Sequence, residues 1–142
     1  MKGLTGWIGK RRAKLLIELG NQRRLAGDLA AAVEAYRNAL HAFPQHPRAL
    51  YNLGTALREL GNAAEAERVL RQLVKIDPQD SDGLFQLGEL LLEVGKFDEA
   101  AGVLEPAFAL APRNALAGCY LGIALVRGGN AQRAVPAFRK AL

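Results

Sequence analysis

The residues able to do chemistry on their own are few. Two histidines, His41 and His46, stand five residues apart, and the one cysteine, Cys119, lies far from both. Imidazole and thiolate could hold a metal, but a structural site needs about four ligands and a catalytic one about three; no third ligand lies near this pair. Cys119 has no cysteine to pair with inside the chain, which fits a reducing compartment, and it reads as a small buried hydrophobe. A nucleophile–base pair, a phosphate loop and a metal cluster are all missing from the sequence, so the chain is read as no enzyme, with no cofactor and no metal. A last constellation is electrostatic: Lys10, Arg11, Arg12, Lys14, Arg23 and Arg24 with Trp7. Such a cluster could neutralise phosphates, and binding of that kind falls steeply with salt. Residues 1–24 hold seven basic side chains and one acid, Glu18, whereas the remainder holds twelve basic and thirteen acidic ones. The net charge of +5 therefore belongs to the N-terminal end and not to the whole surface.

The elements that position these residues follow from composition and period. Half of the 142 residues are apolar, which argues against disorder. The longest run without a charged or strongly polar residue, Ala115–Val126, has 12 residues, well short of the ~20 that cross a bilayer. The chain is read as soluble and cytoplasmic. Its 25 alanines and 24 leucines against 13 valines, isoleucines and threonines favour helix over strand. Fifteen glycines are many for a helical protein, since each costs roughly 1 kcal/mol inside a helix. Their positions explain them. Gly20, Gly54, Gly88 and Gly122 are 34 apart, and so are Gly27, Gly61, Gly95 and Gly129. Leu19, Leu53, Leu87 and Leu121 share the period, as do Ala32, Ala66, Ala100 and Ala134, and Pro44, Pro78 and Pro112. A fixed period of this size marks a repeat array.

Within one period, Leu84, Leu87, Gly88 and Leu91 fall at i, i+3, i+4, i+7, one face of a helix. Gly95 supplies a left-handed stop. Asp98 and Glu99 suit the positive end of a new helix, whose apolar face is Ala100, Leu104, Ala107 and Phe108. Pro112 ends it. The unit is an antiparallel helical hairpin, close-packed where Gly88 and Ala100 are small.

These residues resemble the tetratricopeptide repeat family over residues 13–142. The second unit carries its pattern as Leu50, Leu53, Gly54, Leu57, Gly61, Ala66, Leu70, Leu73 and Pro78, and the first as Leu16, Leu19, Gly20, Gly27, Ala32, Tyr36, Ala39 and Pro44. The resemblance implies an all-α fold: a right-handed solenoid of antiparallel helix hairpins, about eight helices. Residues 1–12 form a basic N-terminal segment, and the repeats span 13–46, 47–80, 81–114 and 115–142. Departures carry expectations of their own. Arg23 leaves the outermost helix partly wet. Gly118 replaces a large residue and should loosen the last helix pair. Pro106 lies inside a helix, opposite the Gly102 carbonyl, and should kink it. Trp7, Leu4 and Ile8 are expected to pack on the first repeat as a staple. The fourth unit stops at Leu142 without its closing turn, which is expected to leave an apolar face open.

The resemblance also implies a concave groove lined by the first helix of each unit. Reading its positions gives Lys14, Ile17, Glu18, Asn21, Arg24 and Leu25, then Arg48, Tyr51, Asn52, Thr55, Arg58 and Glu59, then Asp82, Phe85, Gln86, Glu89, Leu92 and Glu93, and finally Leu116, Cys119, Tyr120, Ile123, Val126 and Arg127. The groove runs from basic and amide-bearing to apolar. Amides suit a peptide backbone and aromatics its side chains. Asn21 and Asn52 match two amide positions of the carboxylate-clamp repeats, but Ile17, Asp82 and Gln86 stand where that clamp has basic residues. The function expected is a non-catalytic scaffold that holds a peptide or protein segment. The helix Ala115–Val126 is apolar on all sides. It is expected to be covered by a further repeat, or by a second copy through Leu116, Cys119, Tyr120 and Ile123. Alternatives are the arm of a larger transferase or assembly protein, and a nucleic-acid contact through the basic N-terminus.

Overall fold

The structure is a computed structural model and describes residues 2–142. Among them are eight α-helices and no strand. They are α1 (Lys2–Leu25), α2 (Leu29–Ala42), α3 (Pro47–Glu59), α4 (Ala63–Ile76), α5 (Ser81–Glu93), α6 (Phe97–Leu110), α7 (Ala115–Arg127) and α8 (Ala131–Ala141). The chain divides into two compact units, with the boundary between Ile76 and Asp77. The first holds the hairpins α1/α2 and α3/α4. The second holds α5/α6 and α7/α8.

Each hairpin is built by the same local rules. Gly27, Gly61, Gly95 and Gly129 have φ of 83–84°, the left-handed region where a side chain would be strained. Each lets the chain fold back so that the next amide reaches a carbonyl five residues upstream, as Lys96 N–H does to Leu91 O at 2.9 Å. The second helix then starts. Asp28 caps α2, its carboxylate accepting from the Ala31 amide at 3.0 Å, and α6 carries Asp98 and Glu99 in its first turn. Asn114 caps α7 in the same way through the Ala117 amide, at 3.2 Å. Pro44, Pro78 and Pro112 each lie two residues past the end of α2, α4 and α6.

Close approach inside each hairpin depends on the other glycine phase. A Cβ placed on Gly20 would lie 2.4 Å from the Tyr36 ring, on Gly54 2.7 Å from Leu70, on Gly88 2.4 Å from Leu104 and on Gly122 2.5 Å from Phe138. Tyr36, Leu50, Leu57, Leu70 and Leu73 are fully buried in the first unit, and Leu87, Leu90, Leu91 and Leu104 in the second.

Several expectations are corrected. Gly118 does not loosen the last pair: its missing Cβ leaves room for Ala141 and Phe108, which would stand 2.6 and 2.9 Å away. Pro106 does lie inside a helix, as expected: α6 runs through it to Leu110. Trp7, Leu4 and Ile8 do not staple the first repeat. Helix α1 continues from the repeat back to Lys2, held where Gly9 passes the Ala42 carbonyl and Lys10 lies over the Phe43 ring, 5.6 Å from its centroid. The three apolar side chains stay exposed. Leu19 is 39% exposed although its repeat equivalents Leu53, Leu87 and Leu121 are buried; α1 packs on α2 and α3 through other faces.

Candidate protein-interaction face

In the first unit, α1 and α3 present the residues that the repeat positions assign to a groove. Lys14, Asn21 and Arg48 are exposed, Arg24, Tyr51 and Arg58 are half-buried, and Asn52 and Thr55 are buried. Ile17 belongs to the core. The polar groups are tied to one another. The Tyr36 hydroxyl donates to Asn21 Oδ1 at 2.6 Å, and the Asn52 amide donates to the same oxygen at 3.1 Å. Thr55 donates to the Asn52 carbonyl at 3.0 Å, and Arg24 reaches Thr55 at 3.5 Å while it forms an ion pair with Glu59. Asn21 Oδ1 thus has both lone pairs engaged. Burial pushes the Tyr36 phenol above its ordinary pKa, the Arg24 charge opposes that rise, and the Glu59 carboxylate adds to it. The repeat pattern marks Tyr36 only as a core aromatic and hides its polar part. The available signal was its type: a buried tyrosine needs a partner for its hydroxyl, whereas Leu70 and Leu104 at the same repeat position need none.

In the second unit the corresponding face is aromatic and apolar. Phe85 on α5 and Tyr120 on α7 stack with centroids 5.7 Å apart and planes within 2°. Both are half-buried, as are Gln86, Glu89 and Cys119. Along α7, Leu116 and Val126 are 57% and 49% exposed, and Ile123 lies on the same strip. Helix α7 is therefore not covered on all sides; Ala117, Gly118, Leu121, Gly122, Ala124 and Leu125 form its one buried face. Beside the aromatic pair lies a hollow of about 270 Å³ lined by Glu89, Leu92, Glu93, Phe97, Ile123 and Arg127 with Tyr120. The Arg127 guanidinium stands 5.8 Å from the Phe97 ring centroid. Phe97 opens the second helix of its hairpin, outside the positions that the repeat pattern assigns to the groove.

Two further clefts lie between second helices. Phe108, Pro112, Leu121, Leu125, Pro136 and Ala137 line one of about 620 Å³ in the second unit, with Glu105, Arg133 and Lys140 at its rim. The first unit has a smaller one of about 340 Å³, with Leu40, Pro44, Leu50, Leu53 and Val69 inside it. An ion pair spans each: Arg37–Glu65 at 2.8 Å and Arg133–Glu105 at 2.9 Å.

The remaining reactive groups take structural positions. The His46 ring caps α3, accepting from the Ala49 amide at 3.4 Å, and meets Phe43 edge-on at 5.6 Å. Burial lowers its pKa, a backbone hydrogen bond opposes that shift, and Arg48 adds to the lowering. His41 is exposed in the last turn of α2. Cys119 is a free thiol. Among the described residues no helix is long and apolar enough to cross a membrane.

Comparison with known proteins accords with the hairpins. Two family models, each described as a tetratricopeptide repeat, match residues 23–84 and 85–142. No curated protein matches the chain. Among solved structures, MamA from Desulfovibrio magneticus RS-1 (residue 41 to its end) is 27% identical with a TM-score of 0.85, covering 92% of this chain and 73% of that one. A double mutant of MamA from RS-1 gives 27% and 0.86 over 92% and 73%. A further crystal structure of MamA, 23% identical, gives 0.85 over 91% and 75% and shares the fold.

Proposed function

The chain belongs to the tetratricopeptide repeat family, and from that premise we propose that it is a non-catalytic scaffold that holds a peptide or protein segment against the first helices of its repeats. Stacked repeats of this kind present extended binding surfaces. The observation that carries the reading is the Phe85–Tyr120 stack, two half-buried rings beside a hollow with both apolar and charged walls. Exposed aromatic surface with a polar rim is where partner side chains gain most. The contrast with the first unit supports the same position. There Asn21, Asn52, Arg24 and Thr55 already satisfy one another, so a ligand would have to displace existing bonds. Lys14, Arg48, Tyr51 and Arg58 flank that network and would steer a segment more than grip it. The lone Cys119 accords with a cytoplasmic setting.

Pull-down from the source cell with the wild type and a Phe85→Ala/Tyr120→Ala variant tests this. Loss of the main partners from the variant is expected. An unchanged set of partners would overturn the reading.

The exposed strip of α7 favours a second reading within the first, self-association through Leu116, Cys119, Tyr120 and Ile123. Light scattering across a concentration series is expected to show growth in apparent mass that Ile123→Lys removes.

A further inference from the structure

Helix α1 has two apolar faces. Ala13, Ile17 and Gly20 bury one of them inside the first unit. The other consists of Leu4, Ile8, Leu15 and Leu19, at i, i+4, i+11 and i+15. At a turn of 3.6 residues these four side chains fall within a strip about 60° wide and on the order of 22 Å long. The strip is open: Leu4 is 60% exposed, Ile8 52% and Leu15 61%, with Trp7 at 57% beside them. Arginines border it. By the same helical geometry Arg11 runs along one edge, and Arg12 and Arg23 along the other. Lys10 and Lys14 lie further round, and all five are exposed. The Arg11 guanidinium sits 5.5 Å from the Trp7 ring. By the same geometry Glu18, the one acid among residues 1–24, falls beside Arg11 on its edge of the strip.

We propose that α1 docks in the plane of an anionic lipid surface, with the strip in the interfacial layer and its arginines at the headgroups. An apolar stripe with tryptophan, bordered by basic side chains whose stems can bend back toward the headgroups, is the chemistry of an interfacial helix. Each basic side chain near an anionic leaflet adds to the attraction. A second copy is the weaker occupant on charge. Another open apolar surface lies in the last repeat, and residues 115–142 contain four basic and no acidic residues. Laying that surface on α1 brings like charges together. Nucleic acid would engage the arginines and Trp7 but leave Leu4, Ile8, Leu15 and Leu19 in water.

Trp7 is the only tryptophan, so its emission reports directly on the strip. The full chain is titrated with unilamellar vesicles of about seven parts phosphatidylcholine to three of phosphatidylserine, and with vesicles of phosphatidylcholine alone. A blue shift on the anionic vesicles is expected, with quenching by lipids brominated in the acyl chain. Both should be far smaller on the zwitterionic vesicles and decline in salt of about half molar. Arg11→Gln/Arg12→Gln should weaken partitioning on the order of thirtyfold, the effect of about two surface charges. Ile8→Ser/Leu15→Ser should abolish the shift with circular dichroism unchanged, since both side chains lie outside the core. Arg139→Gln/Lys140→Gln should leave partitioning as it was. No shift on anionic vesicles at low salt would overturn the proposal. So would a shift that appears with rising protein concentration in the absence of lipid, which assigns the strip to a second copy, or one that appears only with a DNA duplex.

Discussion

Gly88 and Gly102 sit in consecutive helices of one hairpin, yet substituting each should shift stability in opposite directions. A Cβ on Gly88 would lie 2.4 Å from Cγ of the fully buried Leu104, so Gly88→Ala overpacks the hairpin and should cost roughly 1–3 kcal/mol, more than the ~1 kcal/mol that alanine recovers in helix propensity. Nothing lies within 4 Å of a Cβ on Gly102, and Gly102→Ala should stabilise by about 0.5–1 kcal/mol. Urea denaturation of both variants checks the pair; two changes of the same sign would contradict the packing argument. His46 gives a third test. Its pKa is lower folded than unfolded, with burial as the main cause, so the unfolded chain takes up the proton more readily. Its contribution is fully present above the ordinary pKa near 6.5 and is lost as pH falls through the folded value. Melting temperature should therefore drop as pH falls below about 6.5, and His46→Asn, which replaces the capping nitrogen with a capping oxygen that does not titrate, should flatten that part of the profile. Much at this scale is legible in the sequence, because a φ near +83° and a sub-van-der-Waals approach both select glycine at fixed phases. The Asn21–Tyr36–Asn52 network is not. Asn52 looks like a solvated surface amide until the tyrosine hydroxyl, fifteen residues from Asn21, supplies the geometry that buries it.

Helix pairs within each unit are joined across their second helices by an ion pair with reversed polarity. In the first unit the arginine is on α2 and the glutamate on α4 (Arg37–Glu65). In the second the glutamate is on α6 and the arginine on α8 (Glu105–Arg133). The residues correspond across two repeats, 68 apart, with the signs exchanged. Glu105→Arg would set two arginines facing across the cleft. Both partners are more than half exposed, so after solvent screening the loss should be only about 0.5 kcal/mol. Adding Arg133→Glu should restore it, and a double-mutant cycle measures the coupling. No recovery in the double variant would show that the pair is incidental. Hairpin boundaries were readable, since cap, left-handed glycine and closing proline recur together. The extent of α1 was not. Residues 1–12 read as a basic segment apart from the first repeat, whereas Gly9 permits one continuous helix to pass the Ala42 carbonyl. Gly118 misled in the same way: read alone, a missing side chain means a void, but Phe108 and Ala141 come in to fill it.

Taken whole, the molecule is zoned by charge. Residues 1–46 hold eight basic and three acidic side chains, residues 47–114 seven and eleven, and residues 115–142 four and none. This zoning fixes the sign of the salt dependence for each proposed association. Docking of α1 on an anionic surface is attractive at long range and must weaken as the Debye length shrinks, from about 30 Å at 0.01 M to about 3 Å at 1 M. Self-association through α7 brings together two copies of a repeat with only positive charge. Its attraction comes from Leu116, Tyr120, Ile123 and Val126, and its repulsion from Arg127, Arg133, Arg139 and Lys140. Salt screens the repulsion and leaves apolar burial intact. Apparent mass in light scattering should therefore rise more steeply with protein concentration at high salt than at low salt, and Ile123→Lys should remove the rise at both. A monomer at every concentration and salt would sink the self-association reading. A mass that grows at low salt and falls as salt is added would point to a different interface, in which a basic end of one copy meets the acidic middle repeats of another.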